Sequence, residues 1–281
     1  MSASCITAMA QGGQTLERDS GKVDTSHRKH SYANGVYEGA FDSKGLKTGF
    51  GSISLINGEK YTGDWANDLR NGFGKASFPN GDKYEGSWKD DRRSGNGVYY
   101  FSNGDVFTGE FANDRMNGQG VYKYSNGDVY TGIVQFGHVT GKGICKYANG
   151  DRYEGDFLNG KRTGKGKYYY TDGKIYEGAY YNDDKEGQGT MYYVNGDKYV
   201  GQFSKNQRNG MGIFYYSNHD KYEGEFVNGV MEGNGKFRWA EGDLFIGTWK
   251  DNKRDGEGRF VPKVGEPVTQ VYSMGVEVES K

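Results

Sequence analysis

Asp82-Lys83-Tyr84-Glu85-Gly86-Ser87-Trp88 is the stretch on which the fold turns. Tyr84, Gly86 and Trp88 alternate with polar residues, the period of a strand that buries one face. The same aromatic-x-glycine triplet recurs with its ring at Tyr37, Tyr61, Tyr84, Phe107, Tyr130, Tyr153, Tyr176, Tyr199, Tyr222 and Phe245, spaced by 24 once and by 23 thereafter. A period of this length, held without insertions, marks an array in which each unit packs only on its neighbours. Function is then to be sought on a surface and not in a pocket.

Aligned on that period, glycine holds the third position of every unit, from Gly39 and Gly63 through Gly155 and Gly224 to Gly247. Two residues later comes a second ring, such as Trp65, Trp88, Phe157, Phe226 or Trp249, except where Val134 stands. A Gly-x-Gly pair follows, as in Gly72/Gly74 and Gly164/Gly166, and Asn-Gly-Asp separates units, as in Asn80-Gly81-Asp82. The glycine load excludes helix. The pattern predicts one hairpin per unit, with the Gly-x-Gly glycines in the tight connection and a second short strand after them, for example over 98–101. Counting on from the last loop glycine gives another column, Leu55, Phe78, Phe101, Tyr124, Tyr147, Tyr170, Tyr193, Tyr216 and Trp239. The glycine between the two strand rings is expected to make room for a neighbour's aromatic across the backbone, so that ring stacks run along the rod.

Tyr84-Glu85-Gly86-Ser87-Trp88, Tyr153-Glu154-Gly155-Asp156-Phe157 and Tyr222-Glu223-Gly224-Glu225-Phe226 resemble the MORN repeat (membrane occupation and recognition nexus), and Tyr61, Gly63, Trp65 and Trp249 fall on the same positions. The resemblance runs over roughly 32–260 and implies an all-β fold, an elongated single-layer antiparallel β-solenoid of about ten stacked hairpins. Two units depart from the pattern: one has Val134 with Phe136-Gly137-His138 in its loop, and Asn218-His219-Asp220 lacks the turn glycine. The expected organisation is a disordered tail over 1–31, ten units over 32–260, and a cap over 261–281, where Pro262 and Pro267 break the period and 268–279 supplies one last edge strand.

Composition agrees with an array. Rings make up 15% of the chain against 34% hydrophobic residues in all, so aromatics supply most of the burial. Met1-Ser2-Ala3-Ser4-Cys5 shows no export signal, and no 18-residue apolar run occurs, which reads as a cytoplasmic protein. Cys5 and Cys145 are too few for a disulfide framework, and Cys145 reads as a small buried hydrophobe. His27, His30, His138 and His219 show no metal or base–nucleophile spacing, and no helix follows the Gly-x-Gly pairs to cradle a phosphate. No catalytic activity, cofactor or metal is expected.

Binding remains. Resemblance to radial spoke head proteins and to the cytoskeletal MORN proteins of protists implies a protein-binding scaffold in a cytoskeletal or ciliary/flagellar assembly, with cytoskeletal or axonemal partners. The family's name and its presence in junctophilins imply phospholipid binding as the alternative. A carbohydrate or cell-wall repeat is a third reading, which would need an export signal. Lys plus Arg is 36 against 37 Asp plus Glu, and loops such as Asp90-Asp91-Arg92-Arg93 mix signs, which weighs against anionic membranes and nucleic acid. An exposed sheet end over 268–279 makes a homodimer through the C-terminal repeats an expectation. Tyr100, Tyr169, Tyr192 and Tyr215 take positions where other units have Ser77, Lys123 or Arg238, one residue off the aromatic column, and are expected on the opposite face as a partner-binding patch.

Overall fold

The computed structural model describes residues 28–281. Strand β1 is Arg28–Tyr32, and ten repeats follow. Each opens with a seven-residue strand: β2 (Gly35–Phe41), β4 (Lys60–Ala66), β6 (Lys83–Lys89), β8 (Val106–Ala112), β10 (Val129–Gln135), β12 (Arg152–Leu158), β14 (Ile175–Tyr181), β16 (Lys198–Ser204), β18 (Lys221–Val227) and β20 (Leu244–Lys250). Each continues with a nine-residue strand: β3 (Lys47–Leu55), β5 (Leu69–Ser77), β7 (Arg92–Tyr100), β9 (Arg115–Lys123), β11 (His138–Lys146), β13 (Lys161–Tyr169), β15 (Asp184–Tyr192), β17 (Gln207–Tyr215), β19 (Val230–Arg238) and β21 (Lys253–Val261). β22 (Val268–Ser273) and β23 (Val276–Ser280) end the chain. Every strand pairs antiparallel with the one before and after it, giving a single open sheet of 23 strands.

The hairpin connection sits earlier than the glycines predict. Asn67-Asp68 joins β4 to β5 at φ 52° and 67°, and Asp90-Asp91, Asn113-Asp114 and Asn182-Asp183 repeat it. Asn and Asp tolerate this left-handed region, so a type I′ turn forms there without glycine. Both members of each Gly-x-Gly pair therefore lie inside the nine-residue strand. The first, such as Gly72 (φ 103°), bulges opposite Asp64, whose carboxylate accepts the Phe73 N–H at 2.9 Å.

The strand glycine also has a different occupant from the one expected. The ring across it belongs to the same unit. Tyr153 folds back over its own Gly155 and over Gly166 on the paired strand, where an added Cβ would lie 2.6 Å and 2.5 Å from the ring carbon Cζ. Its hydroxyl donates to the Asp156 carbonyl at 3.1 Å, at the point where register shifts. Tyr61, Tyr84, Tyr176, Tyr199 and Tyr222 do the same, satisfying a carbonyl at the bulge.

Between units, Phe78 donates to the Asp82 carbonyl and Gly81 (φ 90°) to the Phe78 carbonyl at 3.0 Å, a three-residue loop whose last position is left-handed. His219 takes that position at φ 74° and keeps the equivalent bond to Tyr216, so the missing glycine is absorbed locally. Phe136 is the harder departure. It stands at φ 51° in the β10–β11 turn, 67% exposed, where a bulky side chain has neither backbone freedom nor burial to offset the strain. Phe136→Asn should stabilise the protein by about 1 kcal/mol, the scale of left-handed strain; an unchanged urea midpoint would contradict this.

Both ends differ from expectation. Residues 28–31 are not tail: β1 pairs with β2 from Arg28↔Gly39 to Tyr32↔Gly35, held by backbone bonds although all five of its side chains are exposed. The rest of the expected tail, 1–27, lies outside the described residues. At the other end, 268–279 forms two strands and not one, because Met274 and Gly275 turn at φ 47° and 91°. β22 is the start of a further repeat, with buried Tyr272 in the second-ring place and 5.5 Å from Phe245.

Candidate interaction surface

One face of the sheet is the core. Tyr61, Tyr84, Tyr153 and Tyr222 are buried beside Trp65, Trp88, Phe157, Phe226 and Trp249, with Gly63, Gly86, Gly155 and Gly224 between them. Away from Val134, each first ring meets the second ring of its own unit and that of the next edge-on: Tyr61 lies 5.2 Å from Trp65 and 5.3 Å from Trp88. Trp65 and Trp88 also donate to the carbonyls of Gly51 and Gly74 in the preceding unit. Ring stacks do run along the rod. Phe78, Tyr99, Phe101, Tyr122 and Tyr124 form one zigzag, and Tyr147, Tyr168 and Tyr170 another.

Polar ladders brace both margins of this face, and sequence reading missed both. At the start of the second strand stand Lys47, Arg70, Arg93, Arg162, Lys185, Arg208 and Arg254, a cation on the array's own period that gives way to Met116, Val139 and Met231 in the other three units. Arg70 lies 4.3 Å over the Trp88 ring, and its Nε donates to Asp91 in the next turn at 3.1 Å; Arg93 bonds Asp114 and Arg162 bonds Asp183 likewise. At the opposite margin the turn aspartate reaches one unit on. Asp82 accepts from the Ser102 N–H and the Tyr99 hydroxyl, Asp105 from Ser125 and Tyr122, and Asp151 from Thr171 and Tyr168. Burial alone would raise these three carboxyls; the hydrogen bonds outweigh it and hold them below the usual carboxylate range.

All these devices weaken together at β10–β11. Val134 replaces the second ring, Val139 the cation, and Cys145 the tyrosine that would bond Asp128. Cys145 is the small buried residue expected, and burial pushes its thiol up to about 11.

The opposite face carries a row that no single repeat reveals. Cross-strand pairing sets Val36, Ser54, Lys60, Ser77, Lys83, Tyr100, Val106, Lys123, Val129, Lys146, Arg152, Tyr169, Ile175, Tyr192, Lys198, Tyr215, Lys221, Arg238, Leu244 and Val261 side by side. It contains no acid. Loops mix signs, and so does the flanking row of the same face, with Glu85, Glu154, Glu177 and Glu223 beside Lys75, Lys167 and Lys236; Arg152 and Lys221 of the acid-free row pair with Glu154 and Glu223 there. The four predicted tyrosines lie here. Tyr100 and Tyr192 are 41% and 42% exposed, whereas Arg152 covers Tyr169 at 4.2 Å and Lys198 covers Tyr215 at 4.4 Å. Tyr169, Ile175 and Tyr192 adjoin on β13–β15, with Thr190, Val200 and Ile213 in the flanking row; Tyr100 stands apart on β7. Among the described residues no cluster of three or more His, Cys, Asp or Glu could hold a metal, and no helix is long and apolar enough to cross a membrane.

An open sheet of identical hairpins, with one face closed by its own rings and the other sorted by register, defines a β-repeat protein. The MORN repeat model matches residues 61–83, 84–106, 107–129, 130–152, 153–175, 176–198, 199–221, 222–244 and 245–261, and the chain belongs to the MORN-repeat family. The first repeat, β2–β3, lies outside those matches. No curated protein matches the chain. Among solved structures, the wild-type TCP10 domain of Danio rerio CPAP in complex with a peptide of Danio rerio STIL is 14% identical over 74% of this chain and 91% of that one, with a TM-score of 0.45. The SAS-4 (dCPAP) TCP domain of Drosophila melanogaster in complex with a proline rich motif of Ana2 (dSTIL) is 18% identical over 55% and 84%, with a TM-score of 0.37.

Proposed function

We propose that this MORN-repeat protein is a non-enzymatic scaffold that holds protein partners in a cytoskeletal or ciliary/flagellar, radial-spoke-like assembly. The observation that carries it is the cluster of Tyr169, Ile175 and Tyr192 beside Val200 and Ile213. The core of this single-layer sheet is on the other face, so these rings and branched side chains pack under no second layer. Aromatics concentrated away from the core suit the centre of a protein interface. The assembly and its cytoplasmic setting come from the family resemblance.

Changing Tyr169, Tyr192 and Tyr215 together to serine should cut partner capture at least tenfold with little change in melting temperature, since none of the three belongs to the buried ring lattice. The measurement is affinity capture of the tagged chain, wild type against variant and against a chain lacking 150–260, with recovered axonemal or cytoskeletal proteins quantified by mass spectrometry. Equal recovery by all three would sink the reading. Phospholipid binding is the second reading, and the acid-free basic row favours it: anionic headgroups are recruited by clustered cations. Sedimentation with phosphatidylserine vesicles, lost at high salt, would move the assignment there.

A further inference from the structure

The aromatic face contains a notch at Cys145, and the repeats on either side show what would fill it. At the equivalent position Tyr122 lies between Phe101 and Tyr124, 5.6 Å and 4.4 Å away, and donates its hydroxyl to Asp105 at 3.2 Å. Two units on, Tyr168 lies between Tyr147 and Tyr170, 5.7 Å and 4.5 Å away, and donates to Asp151 at 2.8 Å. Between these two units stands Cys145, with Tyr124 and Tyr147 flanking it and Asp128 at the aspartate position. Asp128 accepts the Ala148 N–H on Oδ1 and the Asn126 amide on Oδ2; the phenol that Asp105 and Asp151 each receive is missing. Asp105 and Asp151 are buried, whereas Asp128 is half-buried, as are Asp197, Asp220 and Asp243, whose units carry Phe214, Phe237 and Phe260 in the tyrosine place and so offer no hydroxyl either.

Two other units also have a small or flexible residue here, and each is compensated. Beside Ala76, Glu59 takes the aspartate place and bonds Arg70 at 2.8 Å. Beside Met191, Lys174 replaces the acid, and Lys185 donates to the Tyr170 hydroxyl. At Cys145 the residue in the Arg70 position is Val139, which can do neither. The result is a groove of about 380 Å³ with Tyr124, Val139, Cys145 and Tyr147 on its walls, Asp128 and Asn126 at one margin and the Arg162–Asp183 ion pair at the other.

We propose that this notch receives a tyrosine side chain from a partner polypeptide. The ring slots between Tyr124 and Tyr147, and the hydroxyl donates to Asp128, completing the ladder as Tyr122 and Tyr168 complete it in the flanking units. Any hydrophobe could rest on the ring walls; the phenol is preferred because a ring seated over Asp128 takes its carboxylate out of water, and only a hydroxyl donates a hydrogen bond in exchange. Residues 1–27 contain no tyrosine, so that segment cannot supply the phenol. The site deepens the scaffold reading and rests on it for its use, but small phenols test it without any partner.

The probe is p-cresol, with toluene as its isostere lacking the hydroxyl, followed by the two methyl resonances of Val139 in the intact chain. The expected result is saturable shifts for p-cresol at about tenfold lower concentration than for toluene, with the preference abolished in Asp128→Asn. Cys145→Tyr should fill the notch from within, eliminating the p-cresol shifts while raising the melting temperature. The proposal is overturned if p-cresol moves neither methyl, if toluene binds equally well to the native chain, or if a folded Cys145→Tyr protein still binds the phenol. Tyrosine-site failure with intact capture through Tyr169 and Tyr192 would remove the notch and leave the scaffold.

Discussion

Gly155→Gln is expected to unfold the array around β12 and β13, whereas excising the whole unit 153–175 leaves a shorter folded rod. A Cβ on Gly155 would sit 2.6 Å from the Tyr153 Cζ and from the Gly166 Cα, so neither ring nor strand can yield without the other. Expelling Tyr153 removes its edge-on contacts with Phe157 and Tyr180, both at 5.1 Å, and its bond to the bulge carbonyl of Asp156. Loss of a large core ring costs about 3–5 kcal/mol, with overpacking strain added. Excision instead removes one complete period. Tyr176, Gly178 and Tyr180 move into the places of Tyr153, Gly155 and Phe157, and β14 takes up the pairing with β11 that β12 gives up. Stability in such an array is close to a sum of neighbour terms, so the deletion costs one term and no clash. Circular dichroism melts of both variants decide the matter. A folded Gly155→Gln protein beside an unfolded deletion would refute the repeat as the unit of stability.

Raising the pH is expected to melt the protein cooperatively above about pH 10. Burial raises the phenols of the first-ring column, with Tyr37, Tyr84, Tyr130 and Tyr199 pushed up from 10.0 to about 12. Tyr61, Tyr153, Tyr176 and Tyr222 move in the same direction for the same first cause, the penalty on a buried tyrosinate. The unfolded chain gives up these protons near 10 while the folded chain keeps them, so over that range the folded state binds more protons and stability falls as pH rises. The contribution is complete below pH 10 and lost as pH climbs toward 12 and beyond. Because many rings share one lattice, the loss is steep. Tyrosinate absorbance near 295 nm should appear together with loss of the sheet signal; smooth ionisation near 10 with the sheet intact would mean the rings are not packed as described.

The period of 23, the alternation in Tyr84-Glu85-Gly86-Ser87-Trp88 and the turn residues were enough to read an open array of hairpins, since each repeat folds on local pairing and its ring spacing repeats the instruction. Asn67-Asp68 is legible too, but glycine is the usual left-handed residue, so the pattern points to Gly72 and Gly74 as the connection. The cation column through Arg70, Arg93 and Arg162 has the same period as the rings; it stayed hidden because a surface arginine and one stacked on tryptophan look alike in sequence.

The repeat, the all-β class, the two departing units and the separation of Tyr169, Tyr192 and Tyr215 from the aromatic core are all written in residue spacing, because each depends on intervals within one or two strands. It took the folded sheet to show that Tyr153 covers its own glycine, that one row of the outer face holds cations without acids, and that Val139 and Cys145 open a notch. Those depend on cross-strand register and on the bulge at each Gly-x-Gly, which bring together residues whose partners lie up to a full repeat away.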